Sequence, residues 1–198
     1  MGVRLRRRNE SFAPRLITAA GEEISHYRRA IQTDKVKFTV ASNEDLVEQG
    51  ARGLGVARDE LIGSFDLVFG VNTIRYNHRL GNVDRCVGSI RQLLKQGAIC
   101  IVIDMNRKFP AFRSRLREWR TKQDEHSIFL PSLDEYAQPF SAAGFEILKK
   151  RNFCWIPHSA GRQLTGVMRA LTPVLNTVAP SRGMRSLVIS RKNSRGSR

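Results

Sequence analysis

No apolar run in this chain of 198 residues approaches transmembrane length, so nothing in it reads as a membrane span. The opening residues, MGVRLRRRNESF, are charged with no apolar stretch behind them, which does not read as a secretory signal. Glu10, Glu22 and Glu23 argue against a long transit peptide. Cysteines are few and odd in number: Cys86, Cys100 and Cys154. With neither a CxxC nor an HExxH pattern, the sequence makes no case for zinc or another metal. Three reduced, inert thiols in a cytoplasmic protein are expected. Acidic residues are also scarce. There are 18 of them against 34 lysines and arginines, for a net charge of +16.

Such a charge attracts nucleic acid or another anionic surface. Its placement weakens the nucleic-acid reading. Arg4, Arg6, Arg7 and Arg8 lie in an N-terminal arm, and Arg191, Lys192, Arg195 and Arg198 lie near a Ser/Gly-bearing tail. More charge falls between Arg107 and Lys122, where it reads as a solvated helix face. Few aromatics are interleaved. An arginine-rich composition with solvated ends is favoured over a dedicated RNA groove.

What the chain does have is a legible core unit from Phe65 to Asn106. FDLVFGV and AICIVIDM are apolar runs of strand length, suited to parallel strands buried on both faces. Between them Val83, Val87, Ile90, Leu93 and Leu94 recur at helical spacing. Gly97 sits where that helix is expected to stop. Strand, helix, strand in this order predicts a right-handed βαβ unit and an α/β fold. The residues just past the first strand then stand where open α/β sheets bind ligands.

The rest is read more coarsely. RLITAA is a short strand, followed by a helix with Ile24, Tyr27 and Ile31 on one side. VKFTVA, from Val36 to Ala41, alternates as a strand, and Ser42 or Asn43 caps a helix beginning at Glu44. The glycines of EQGARGLGV make that helix irregular. Lys108 to Gln123 reads as a helical insertion with Phe112, Leu116 and Trp119 at helical spacing. Ser132 and Glu135 form a capping box for a helix ending at Gly144. FEILKKRNFCW is a strand ended by Pro157, Gly161 to Thr177 is amphipathic, and MRSLVISRK is the last strand. One domain is expected over residues 15–192, with a basic arm at 1–14 and a basic tail at 193–198.

Residues Val36 to Lys192 resemble a class I S-adenosylmethionine-dependent methyltransferase, by ordered blocks. VKFTVASNEDL is similar to the third strand of that family, and FDLVFGVNTIRY to the fourth strand and the loop beside the cofactor's methionine part. LLKQGAICIVIDM is similar to the turn and fifth strand, AAGFEILKKRNF to the sixth, and RSLVISRK to the final antiparallel strand. WIPHSAGRQLTGVMRALTPVLNTVAPSRGMRSLVI resembles a small-molecule or lipid-type branch with a helical cap near the acceptor. The resemblance implies a Rossmann-like, mostly parallel sheet with an antiparallel last strand. It also implies S-adenosyl-L-methionine as cofactor and methyl transfer to a small-molecule acceptor. The family's glycine-rich turn is missing: before Val36 the only glycines are Gly2 and Gly21. The expectation is therefore a truncated chain without the first strand. Two alternatives stay open. One is a non-catalytic methyltransferase-like module. The other is an RNA-binding protein or RNA methyltransferase, against which VNTIRY stands where many base-amine methylases carry an N/D-P-P-Y/F motif.

The resemblance also names site residues. Glu22 or Glu23 would accept the two ribose hydroxyls, or else complement a helix dipole. Ser42 and Asn43 would bond adenine, or else act as N-caps. Gly70 and Asn72 would lie by the cofactor's amino-acid end, although Asn72 also suits a plain turn. In the loop beyond, Tyr76 would line the acceptor and His78 would serve as a general base, or be a solvated surface residue. Asp104 is a second base candidate, or a cap of the Met105–Lys108 turn. His158 would reach the substrate pocket, or fix the turn after Pro157.

Overall fold

The computed structural model describes residues 37, 39–110, 130–157 and 160–193. Within them, four strands form one sheet in the order β1-β2-β4-β3. These are β1 (Phe65–Val71), β2 (Leu94–Met105), β3 (Phe145–Phe153) and β4 (Arg185–Lys192). β1 and β2 pair in parallel, with Phe69 opposite Ile101 and Val71 opposite Ile103. β4 runs antiparallel to both neighbours, β2 and β3. The expected α/β fold, with its last strand reversed, is what the chain adopts.

Among the described residues six helices accompany the sheet: α1 (Leu46–Leu54), α2 (Arg58–Leu61), α3 (Ile74–Leu80), α4 (Val83–Leu93), α5 (Leu133–Ala142) and α6 (Arg162–Val178). A short 3-10 turn, Asn43–Asp45, precedes α1. The main core lies between the sheet and α4 and α5. There Cys86, Val87 and Ile90 of α4 meet Cys100 and Val102 of β2, Val188 of β4, and Tyr136 and Phe140 of α5. Burial pushes the Cys86 and Cys100 thiols up to about 12, so neither offers a thiolate. α5 starts as its sequence predicts. Glu135 N–H donates to Ser132 Oγ at 3.4 Å, and Ser132 N–H donates to Glu135 Oε2 at 2.7 Å.

Four expectations are corrected. FDLVFGV is not buried on both faces: Leu67, Phe69 and Val71 are exposed, because among the described residues β1 has β2 as its only strand partner. Thr39 to Ala41 form no strand, since among the described residues no strand pairs with them and Val40 is exposed. Gly97 does not end α4, which stops at Leu93. It stands with φ +75° inside β2, where the register with β1 shifts between the pairs Phe65–Leu94 and Leu67–Ile99. The residues after Asn72 are no loop, and Tyr76 and His78 lie in α3. The strand expected over Arg15–Ala20, the helix after it and most of the Lys108–Gln123 insertion lie outside the described residues.

Candidate functional site

α3 is only seven residues long, and its sequence IRYNHRL is rich in weak helix formers. Side chains from other elements hold it together. At its start, Arg75 N–H donates to Asp104 Oδ2 at 3.1 Å, across from the end of β2. Thr73, the residue at the cap position, makes no side-chain cap bond, so Asp104 supplies that acceptor from a distance. Its other oxygen accepts from Met105 N–H at 2.8 Å and lies 3.6 Å from Arg75 Nε. Asp104 is fully buried, and burial raises its carboxyl above the ordinary range while Met105 and Arg75 pull it back down. Both oxygens are thus committed to the fold. The Met105–Lys108 turn is capped by Asn106 instead, whose Oδ1 accepts from Lys108 N–H at 3.0 Å.

Arg75 continues outward, stacking at 4.7 Å on the ring of Tyr76 and donating to its hydroxyl at 2.8 Å. Tyr76 is half exposed. Two residues on, His78 points elsewhere, since two helical steps turn a side chain by roughly 200°. It lines an open cleft of about 760 Å³ with Asp84, Asp134, Glu135 and Gln138. Burial holds the His78 imidazole below its ordinary value, against the pull of Glu135 and Asp84. Two carboxylates of the cleft are themselves paired, Asp134 with Lys150 and Glu135 with Arg107. Tyr76 and His78 therefore serve opposite sides of one short helix.

The far end of α3 reaches the turn before α1. Asn77, almost fully buried, accepts from Asn43 Nδ2 at 3.1 Å and donates to Asn82 Oδ1 at 2.9 Å. Ser42 N–H donates to Gln49 Oε1 at 2.8 Å, and no side-chain cap bond is made by Ser42. The Ser42 hydroxyl, with Glu44's own backbone and Asn77, keeps the Glu44 carboxyl below its ordinary value. Just ahead of α3, Asn72 takes φ +56°, a left-handed conformation asparagine tolerates better than most residues. Its N–H donates to Ile103 O at 2.8 Å, and its Oδ1 accepts from Arg185 at the start of β4. At Gly70 an added Cβ would stand 2.9 Å from Thr73 Oγ1, so glycine leaves room for that hydroxyl and keeps the strand end bare.

The structure therefore gathers Ser42, Asn43, Gly70, Asn72, Tyr76 and Asp104 around α3 and the carboxyl ends of β1 and β2. His78 is set apart in the α5 cleft. Glu22, Glu23 and His158 lie outside the described residues. Arg75, Asn77, Asn106 and Arg185 organise this region and were not singled out in the sequence. Buried Asn106 also donates to Ser181 O and Gly183 O, at 2.9 and 2.7 Å, tying β2 to the turn before β4. A polar residue within or directly after an apolar segment is the signal these four share.

No protein-family model matches this chain, and no curated protein does. Solved structures do. The [4+2]-cyclase SpnF aligns at TM-score 0.53 and 13% identity, over 85% of this chain and 60% of its own. A complex of the Haloferax volcanii Trm112 methyltransferase activator with a provisionally assigned methyltransferase aligns at 0.54 and 12%, over 84% and 65%. A provisional S-adenosylmethionine-dependent methyltransferase from Listeria monocytogenes aligns at 0.52 and 14%, over 86% and 75%. This chain spans less than two thirds of the length of the first two. The fold it adopts is that of the class I methyltransferases. The blocks read as the fourth, fifth, final and sixth strands are the neighbours β1, β2, β4 and β3. Because one of these structures is a cyclase, the fold leaves the reaction open.

Proposed function

We propose that the chain takes part in S-adenosylmethionine-dependent methyl transfer to a small-molecule acceptor. The observation that carries this reading is the sheet order with its reversed β4, which sets Gly70 and Asn72 at the carboxyl end of a parallel strand, where α/β sheets hold ligands. The arginines there are engaged within the fold, Arg185 with Asn72 and Arg75 with Tyr76 and Asp104. Asparagine amides, a serine hydroxyl and bare backbone at Gly70 suit adenine and a zwitterionic amino-acid end. The acid expected to hold the ribose is Glu22 or Glu23. When bound, the cofactor supplies an electrophilic methyl group on a sulfonium, whose S–CH3 bond breaks as the acceptor's bond to carbon forms. The chain's own part is to align and to exclude water. His78, kept neutral by burial, stands across α3 from Tyr76 and would take a proton only from an acceptor that enters through the α5 cleft. A second reading, a module that binds without catalysis, draws support from the commitment of Asp104 to the fold.

A thermal melt with and without S-adenosylhomocysteine separates the two. Methyl transfer predicts a cooperative melt that rises with ligand, by about 2.7 kcal/mol of added stability at a hundredfold excess over Kd. Asn72→Ala and Glu22→Ala should shrink that rise. Ser132→Ala should lower the midpoint by the loss of a cap, about 1 kcal/mol, and leave the rise intact. A cooperative melt with no ligand response supports the non-catalytic module. Equal responses in all three variants remove the assignment of these residues.

A further inference from the structure

Asn72 is held at three points. Its backbone takes φ +56°. Its N–H donates to Ile103 O at 2.8 Å. Its side-chain oxygen accepts from Nη1 of Arg185. Arg185 is itself fixed, because its backbone stands opposite Met105 of β2 and Phe153 of β3. The residue before it is bonded on both sides: Met184 O accepts from Asn106 N–H at 2.8 Å, and Met184 N–H donates to Cys154 O at 2.6 Å. The guanidinium thus reaches Asn72 from a strand end pinned in the sheet.

That contact decides which way the amide faces. A guanidinium only donates, so the atom turned toward Arg185 is the oxygen and not the nitrogen. The Asn72 amide group then points away from Arg185, and among the described residues Nδ2 meets no acceptor. Two unmet donors on a half-buried side chain, at the carboxyl end of a parallel strand, are placed to receive an acceptor from a ligand.

The charge at this end of the sheet has the matching sign. Asp104 is attracted to the guanidiniums of both Arg75 and Arg185, two cations against one buried carboxyl. That balance favours an anion over an ammonium group. We infer that Asn72 receives the carboxylate of the cofactor's amino-acid end, and that Arg185 is the positioning residue that turns the Asn72 amide to do so. The ammonium of the same end finds no acceptor at this position. The inference rests on the methyl-transfer reading and sharpens it, since Arg185 decides which of the two charges of the amino-acid end lies at Asn72.

The test is calorimetric titration of the full chain with S-adenosylhomocysteine and with its analogue lacking the carboxylate. The parent chain should bind S-adenosylhomocysteine about tenfold or more tightly, as expected of hydrogen bonds to a charged group. Asn72→Asp keeps the shape and the bond to Arg185, tolerates the positive φ, and turns an oxygen toward the ligand in place of the amide nitrogen. It should lose that preference while the analogue keeps its affinity. Arg185→Met frees the amide to turn and should shrink the preference. Arg185→Lys, still a donor, should keep most of it. The ratio of the two affinities is the readout, because a general loss of packing lowers both alike. No binding of either ligand to the parent chain overturns the methyl-transfer reading and this inference with it. Equal binding of both overturns this inference alone, and so does a preference that Asn72→Asp leaves intact. A preference lost in Asn72→Asp but intact in Arg185→Met overturns the part given to Arg185.

Discussion

The two faces of the sheet differ in cover more than in apolar character. On β2 the even-numbered residues from Ala98 to Asp104 are buried and the odd-numbered ones between them only partly so. β4 repeats the pattern, with Ser186, Val188, Ser190 and Lys192 buried. The packed face is built from small groups such as Ala98, Cys100, Val102 and Ser190, which let α4 and α5 approach closely. The other face carries Leu67, Phe69, Val71, Ile99, Ile101, Ile103, Leu187 and Ile189, brought side by side by the strand register. Its side chains are at least as apolar. Composition alone therefore does not tell a face that is packed from one that is open among the described residues. Position in the sheet and the helices at hand decide it.

Truncating one phenylalanine on each side breaks or sharpens this contrast most directly. Phe140, fully buried on α5, meets Phe145 edge-to-face at 5.7 Å between ring centroids. Phe140→Ala should cost about 3–5 kcal/mol in a urea titration. Phe69 is 60% exposed on β1, and Phe69→Ala should cost about 1 kcal/mol or less. If both variants lose the same stability, the open face is covered in solution and the contrast fails.

Much of this architecture was legible in the sequence, and the misses share a cause. Strand-length apolar runs located β1 and β2, and Ser132 with Glu135 located the start of α5, because each signal is local. Gly97 misled because a positive φ serves a register shift within a strand as well as it serves a helix end. α3 was missed because its stability comes from Asp104 and Asn43, far away in sequence, and not from its own residues. The Asn72–Arg185 contact joins positions 113 residues apart, and no local pattern announces it. Around the candidate site the same rule holds. The polar residues at strand ends could be named, but their partners could not.

Asp104 offers the next largest effect. It belongs to the packed side of β2, yet it carries a carboxyl group. Asp104→Ala would leave Arg75 buried without its partner and remove the acceptor for two backbone N–H groups, at a cost of about 3 kcal/mol. Because burial raises the carboxyl in the folded chain, the sign of its own pH effect is the reverse of a surface carboxylate's. The folded state holds this proton more tightly than the unfolded chain, so this group's contribution to stability falls as pH rises from 3.8 through the raised value. Urea titrations of Asp104→Ala and the parent chain on either side of that window measure both. A variant as stable as the parent chain would mean that α3 needs no distant cap.

The smallest effect is a slope, and it belongs to His78 in the α5 cleft. Burial lowers its imidazole from 6.5, more than Glu135 and Asp84 raise it. Below pH 6.5 the unfolded chain takes up a proton that the folded chain still refuses. Stability should therefore fall as pH drops below 6.5, and this contribution should level off once the folded imidazole titrates as well. His78→Gln removes the titrating group, so its urea midpoint should change less steeply over the same interval. Parallel slopes in the two proteins would mean that the cleft is wetter than its lining suggests, and that the imidazole is protonated as readily there as in the unfolded chain. The proton-accepting role proposed for His78 would lose its physical basis with it, because that role requires an imidazole kept neutral by burial.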